Sequence, residues 1–340
     1  MKFLLIIVLL LLHLFYQNEK VCLNPNGKPV DWYIIFLFPR SVSPDKEIYY
    51  SYFDSNLLSA DYYLYNESSF PPSMVISYLN NNDSNYNYFA WNDGLPESKF
   101  SYNISKAHSK GFLIYDKNDG VFLSHSLPQF PKKINNKLLS GLTSNAGYYG
   151  QHFLCISITK ETSEKIVEIL NNINALVFAS VKKDNVNKIE NEWVKKLIIN
   201  KYDIVHSIND KNFIKSKKGI EFTIFSKNNY NLVTPYDTVL RQNYLDDFYI
   251  RTWILPKLVP AICEKYSIFN VDKIQFGEYK YDKNKDHAKW AISVFKNIVC
   301  FGDLNHCESQ KIRGGMLICF ENEALHNFMI DTIYSTDSCV

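Results

Sequence analysis

The chain has 340 residues and a formal net charge of only +2, so no standing basic field marks it for nucleic acid at neutral pH. Aromatic residues make up 15% and charged residues 21%, proportions that exclude a disordered chain and leave a packed globular one. None of the seven cysteines forms a Cys-x-x-Cys pair and no His-x-x-x-His accompanies them, which excludes the common zinc sites.

In chain order, Met1-Lys2 precedes an apolar run from residue 3 to 12 that His13 interrupts. This is the layout of a secretory signal peptide, too short for a bilayer span of roughly 20 residues. Residues 1–20 are read as the leader, cut between Phe15 and Val21, with no transmembrane segment after its removal. The secretory route makes disulfides the natural reading of Cys22, Cys155, Cys263, Cys300, Cys307, Cys319 and Cys339, with one thiol left over. Sequons at Asn66, Asn82 and Asn103 fit the same compartment, and the polar stretch 54–105 reads as a surface region carrying glycans. Seven of the eight histidines follow the leader, so in acid the chain is expected to gain up to about seven charges and attract a polyanion.

Tyr33 to Phe38, closed by Pro39, is a continuous apolar run that predicts a buried strand, as do 111–115 and 153–157. Ile166, Leu170, Ile173 and Val177 after a Thr162-Ser163 cap predict a helix; Ile189, Trp193 and Leu197 predict a second, and Leu325, Phe328 and Ile333 a third. The sum is mixed α/β. Two segments echo each other: His108-Ser109-Lys110 leads into 111–115, and His287-Ala288-Lys289 leads into the strand candidate 290–295. Each is followed by a turn bearing an amide, Gln129 in the first case and Asn305 in the second. The echo predicts a duplicated fold, 21–195 and 196–340, with one site between the halves.

His-x-Lys on an extended chain sends both side chains to one face. A neutral imidazole can attack phosphorus, a lysine and an amide can hold the non-bridging oxygens, and a second, charged histidine can protonate the leaving oxygen. That chemistry needs no metal or other cofactor. His125 stands beside the first motif as either a site or a core residue. Trp32 and Trp290 read as core, and His306 beside Cys307 as a surface residue.

These residues carry a resemblance. Pro29-Val30-Asp31-Trp32, Trp91-Asn92-Asp93, His108-Ser109-Lys110-Gly111, His125-Ser126-Leu127-Pro128-Gln129, Tyr149-Gly150-Gln151, Asp246-Asp247-Phe248-Tyr249, Asp286-His287-Ala288-Lys289-Trp290, Gly302-Asp303-Leu304-Asn305 and Arg313-Gly314-Gly315 stand in the order of the deoxyribonuclease II family. The likeness runs from Cys22 to Cys339 and departs at Pro256 and over 195–245. It implies an α/β fold of two phospholipase D-like halves about a pseudo-twofold, mixed sheets flanked by helices. It further implies metal-independent cleavage of double-stranded DNA at acid pH, leaving 3′-phosphate and 5′-hydroxyl ends, in a lysosomal or secreted enzyme. The implied bridges are Cys22–Cys155, Cys263–Cys339 and Cys300–Cys319, which leaves Cys307 outside them. By analogy His108 is the nucleophile and His287 the general acid, with Lys110, Lys289, Asn305 and Gln129 on the phosphate; exchanging the two histidines satisfies the same residues. Two other readings share the scaffold: a secreted nucleic-acid-binding or host-interaction protein without turnover, and a phosphodiesterase on another substrate.

Overall fold

The computed structural model describes residues 19–80, 86–95, 105–135, 137–143, 146–181, 189–199, 209–254 and 257–339. Residues 1–18 of the leader, Asn82, Asn103 and Pro256 lie outside them, while Lys20 is buried and Asn66 is exposed.

An eight-stranded sheet is built from β1 (Trp32–Leu37), β2 (Tyr49–Asp54), β3 (Asp61–Leu64), β4 (Asn87–Trp91), β5 (Gly111–Tyr115), β6 (Asp119–His125), β7 (Gln151–Thr159) and β8 (Val177–Ser180). Their spatial order is β8-β4-β5-β6-β7-β1-β2-β3. The second sheet contains β9 (Asn209–Lys215), β10 (Glu221–Lys227), β11 (Phe248–Arg251), β12 (Ile268–Phe276), β13 (Tyr279–Asp282), β14 (Trp290–Ser293), β15 (Ile298–Gly302) and β16 (Gly315–Glu321). They run β9-β10-β16-β15-β14-β11-β12-β13, and β17 (Ile333–Thr336) pairs with β12.

The order β4-β5-β6-β7-β1-β2, antiparallel throughout, recurs as β11-β14-β15-β16-β10-β9, again antiparallel throughout. Each His-x-Lys segment stands immediately before the second strand of this series, and is not itself within the strand. Helices follow the fourth strand in both cases: α2 (Lys160–Asn172) after β7 and α4 (Glu323–Thr332) after β16. Of the two other helices named here, α1 is Pro71–Ser77 and α3 is Glu192–Ile198.

β1 explains why its sequence is apolar without alternation. Trp32, Ile34 and Phe36 join a core that also takes side chains from the second sheet, α2 and α4. Tyr33, Ile35 and Leu37 enter a separate core on the opposite face. Phe36 lies 5.1 Å from Phe276 and 6.0 Å from Phe301, and Trp32 lies 5.0 Å from Phe320. Each such buried side chain contributes about 1.5–3 kcal/mol, and Phe36→Ala would cost about 3–5 kcal/mol through the cavity it leaves.

Two expectations shift. The cap of α2 is Thr159, whose side chain accepts from Thr162 N, because β7 runs directly into the helix without a loop. The stretch 54–105 is not surface throughout: α1 buries Val75 and Ile76, and β4 is an inner strand with Phe89, Ala90 and Trp91 fully buried. Disulfides join Cys22 to Cys155, Cys263 to Cys339 and Cys300 to Cys319, the last linking β15 to β16 at directly paired residues. Cys307 stays a buried thiol whose Sγ donates to the Trp253 carbonyl at 3.6 Å, and burial pushes its pKa up to about 11. Among the described residues no helix is long and apolar enough to cross a membrane.

Candidate active site

His108, Lys110, His287, Lys289 and Asn305 all line one pocket of about 220 Å³, together with Asp93, Ser126, Pro128, Trp253 and Gln310. The two motifs are set alike. Lys110 Nζ donates to the His108 carbonyl at 3.2 Å, and Lys289 Nζ to the His287 carbonyl at 2.5 Å. The Lys110 carbonyl accepts from His125 N at 3.2 Å, and the Lys289 carbonyl from Gly302 N at 3.0 Å.

Each histidine is held by the opposite half of the chain. His108 N donates to the Gly314 carbonyl at 2.8 Å, and His287 N to the Gly150 carbonyl at 2.8 Å. Glycine is needed at both contacts. A Cβ on Gly314 would sit 2.0 Å from the Ile173 carbonyl oxygen, and one on Gly150 would sit 2.6 Å from Asp286 Oδ1. Asp286 is itself buried; it accepts from Arg251 Nε at 2.9 Å and from Ala288 N at 2.9 Å, which fixes the backbone between His287 and Lys289. Arg313 uses its guanidinium on the carbonyls of Lys106 and Ala107, ahead of His108. Lys289 N donates to His152 Nδ1 at 3.1 Å.

The rings differ in what they face. His108 Nδ1 lies 2.7 Å from the Asp303 carbonyl, an acceptor only, so Nδ1 carries a proton, while Nε2 faces Asp93 Oδ2 at 3.2 Å. His287 stacks on Tyr149 with centroids 4.3 Å apart and meets the edge of Trp253 at 4.2 Å. Its Nε2 is buried with no hydrogen-bond partner among the described residues. Burial, then Lys110, Arg313 and Lys289, drives the His108 pKa well below its ordinary value. Burial and then Lys289 and Lys110 bring His287 down to about 3. Lys289 falls to about 7, from burial and then Lys110, and burial raises Asp303 to about 6.

Gln129 does not line this pocket; it occupies a left-handed turn position, φ 58°, ahead of Phe130. Gln310 stands in the pocket instead. His125 is a buried residue packed against Phe130 and Phe153, with a pKa lowered to about 3, first by burial. His306 is not on the surface: it is fully buried, 2.5 Å from Asp237 and 3.2 Å from Asn270, and so secures the loop that carries Asn305. The expected acid charging is also cut back, since burial lowers the pKa of four of the seven histidines beyond the leader, His108, His125, His152 and His287. Among the described residues no three His, Cys, Asp or Glu side chains gather as a metal-binding group.

Two sheets of shared strand order, each delivering a histidine and a lysine to one basic pocket, are the frame of a phosphodiester hydrolase. The chain belongs to the deoxyribonuclease II family, whose sequence profile matches residues 21–339, and is an endonuclease of that type. It is 26% identical over 333 residues to plancitoxin-1 of Acanthaster planci, covering 94% of this chain and 92% of that protein. Deoxyribonuclease-2-beta of Mus musculus is 25% identical over 91% of this chain and 89% of its own length. Cell-death-related nuclease 7 of Caenorhabditis elegans is 27% identical over 92% and 88%.

Proposed function

We propose that the pocket cuts DNA in acid by two displacements at phosphorus without a metal. His108 Nε2 attacks the phosphodiester, a P–N bond forms, and the P–O5′ bond breaks. His287 gives its proton to the departing 5′ oxygen. Water then attacks the phosphohistidine, His287 takes a proton from it, and Nε2 leaves, so the ends are 3′-phosphate and 5′-hydroxyl. Lys110, Lys289, Asn305 and Gln310 hold the non-bridging oxygens where a metal would otherwise stand.

The observation that carries this reading is the 2.7 Å contact of His108 Nδ1 with the Asp303 carbonyl. It orients Nε2 as the nucleophile and supports the positive ring that forms when Nε2 bonds to phosphorus. His287 Nε2 has no hydrogen-bond partner among the described residues, and the charge of a bound phosphodiester raises its depressed pKa so that it can serve as the acid. Lys289, with a pKa of about 7, is charged at pH 5 and discharges above neutrality, so activity falls on the alkaline side. The bridges and the sequon at exposed Asn66 support a secreted or lysosomal place of work.

The test is plasmid nicking near pH 5 in excess chelator with end-group analysis, run on the wild type, His108→Ala and His287→Ala. Cleavage should persist in chelator, and either substitution should cost on the order of 100-fold or more. A p-nitrophenyl phosphodiester, whose leaving group needs no proton, should recover part of the loss in His287→Ala and none in His108→Ala. The reverse rescue would exchange the two roles; near wild-type cleavage by either variant would sink the mechanism.

A further inference from the structure

Asp93, just beyond β4, is 3% exposed and lines the pocket. Its Oδ2 lies 2.8 Å from Lys110 Nζ and 3.2 Å from His108 Nε2. A phosphate oxygen engaged by Lys110 while phosphorus faces Nε2 must take the place that Oδ2 now fills. The other oxygen, Oδ1, is buried with no hydrogen-bond partner among the described residues. As a carboxylate, Asp93 therefore neutralises Lys110, stands in front of the nucleophile and opposes a second anion. As a carboxylic acid it repels nothing, and a proton on Oδ1, the oxygen without a partner among the described residues, is a donor that a phosphate oxygen can accept.

The titratable and charged groups around it come from several elements. His108 and Lys110 precede β5, His125 ends β6, and His287 and Lys289 precede β14. Asp303 and Arg313, between β15 and β16, act on Lys110. Burial and the neighbouring cations oppose charge on His108.

We propose that Asp93 is the acid gate of this site: ionised, it occupies the phosphate position against Lys110 and His108, and on taking a proton from solvent it yields that position and donates to the bound phosphodiester. The proposal rests on the phosphodiesterase reading above. One proton enters per phosphodiester bound, so affinity falls by up to ~10-fold per pH unit once the carboxyl is ionised in the empty site.

The experiment measures binding of a labelled DNA duplex by anisotropy at fixed ionic strength from pH 4.5 to 6.5, below the range where Lys289 discharges. The His287→Ala protein, slowed on the order of 100-fold or more, is compared with His287→Ala/Asp93→Asn. Affinity should fall at least tenfold over this range in the first protein and stay within about threefold in the second. Asp93→Asn alone should carry cleavage at least one pH unit further toward neutrality. An unchanged pH dependence in the Asn variant overturns the gate. Should that variant not fold, protection of the wild type against thermal unfolding by dimethyl phosphate, whose charge is constant here, decides the matter: equal affinity at pH 4.5 and 6.5 overturns it. A wild-type protein that fails to cut DNA at pH 5 refutes the nuclease reading instead, which keeps the two failures apart.

Discussion

Asn305 and Gln310 bring side-chain amides into the pocket from one loop, Asn305 with its Oδ1 engaged by Trp253 N at 3.2 Å. That contact commits the oxygen and leaves the amide hydrogens for phosphate. Asn305→Ala should therefore lower kcat on the order of 100-fold, the usual cost of a lost transition-state donor. Gln129→Asn, outside the pocket and suited to a left-handed turn, should stay within about twofold; oligonucleotide cleavage at pH 5 compares the two. That the histidines, lysines and Asn305 gather in one pocket was legible because a repeated His-x-Lys and a following amide form a local pattern. Asp93, Tyr149 and Trp253 carried no such mark as functional groups. Each is a single residue whose role arises from what long-range pairing sets opposite it: Lys110 for Asp93, and the His287 ring for Tyr149 and Trp253. Gln129 misled for the same reason, since distance along the chain says little about which side of a turn faces the pocket.

At the scale of elements, legibility followed burial. β1, β5 and β7 are buried almost throughout, so their sequences are runs of apolar residues bounded by turns. The edge strands β3 and β9 are mostly exposed, so no long buried apolar run marks Asp61–Leu64 or Asn209–Lys215. The turn after Arg313 is the element on which the first motif hangs, and it tolerates no side chain at Gly314. Gly314→Ala must push the Ile173 backbone or withdraw the carbonyl that holds His108, at a cost of about 1–3 kcal/mol. Urea midpoints should report that loss. Turnover under folding conditions should fall further than the midpoint accounts for, because the displaced contact is to the backbone of His108, the proposed nucleophile. A loss of stability with kcat unchanged would separate the turn from the site.

For the whole molecule, the buried histidines set how the fold responds to acid. Their folded pKa values lie below the ordinary 6.5, so as pH falls the unfolded chain binds protons that the native one refuses. Stability is thus lost on acidification below about 6.5, on the order of 1 kcal/mol per histidine per pH unit while the folded ring stays neutral. Asp303 acts in the opposite sense: its raised value near 6 makes it lose stability as pH rises toward that point. Lys289, lowered to about 7, exacts its full cost at every pH below neutrality and adds no slope there. Four histidines against one carboxyl leave a net decline, and the urea midpoint should drop between pH 7 and 4.5. His125→Phe, which keeps the ring packed between Phe130 and Phe153, should flatten that slope by about one proton. A midpoint independent of pH over this range would contradict the burial of these rings.

The exchange of backbone contacts between halves, His108 hung from Gly314 and His287 from Gly150, bears on descent as well as on geometry. If the repeated strand order records a duplication, the ancestral unit met a twin and each lent the other its support. Once the two copies shared one chain, neither could drift alone. A substitution near Gly314 is felt at the first copy's histidine, and one near Gly150 at the second's. The pair is heritable only as a pair, so the residues that answer to one another across the junction are expected to change together or not at all.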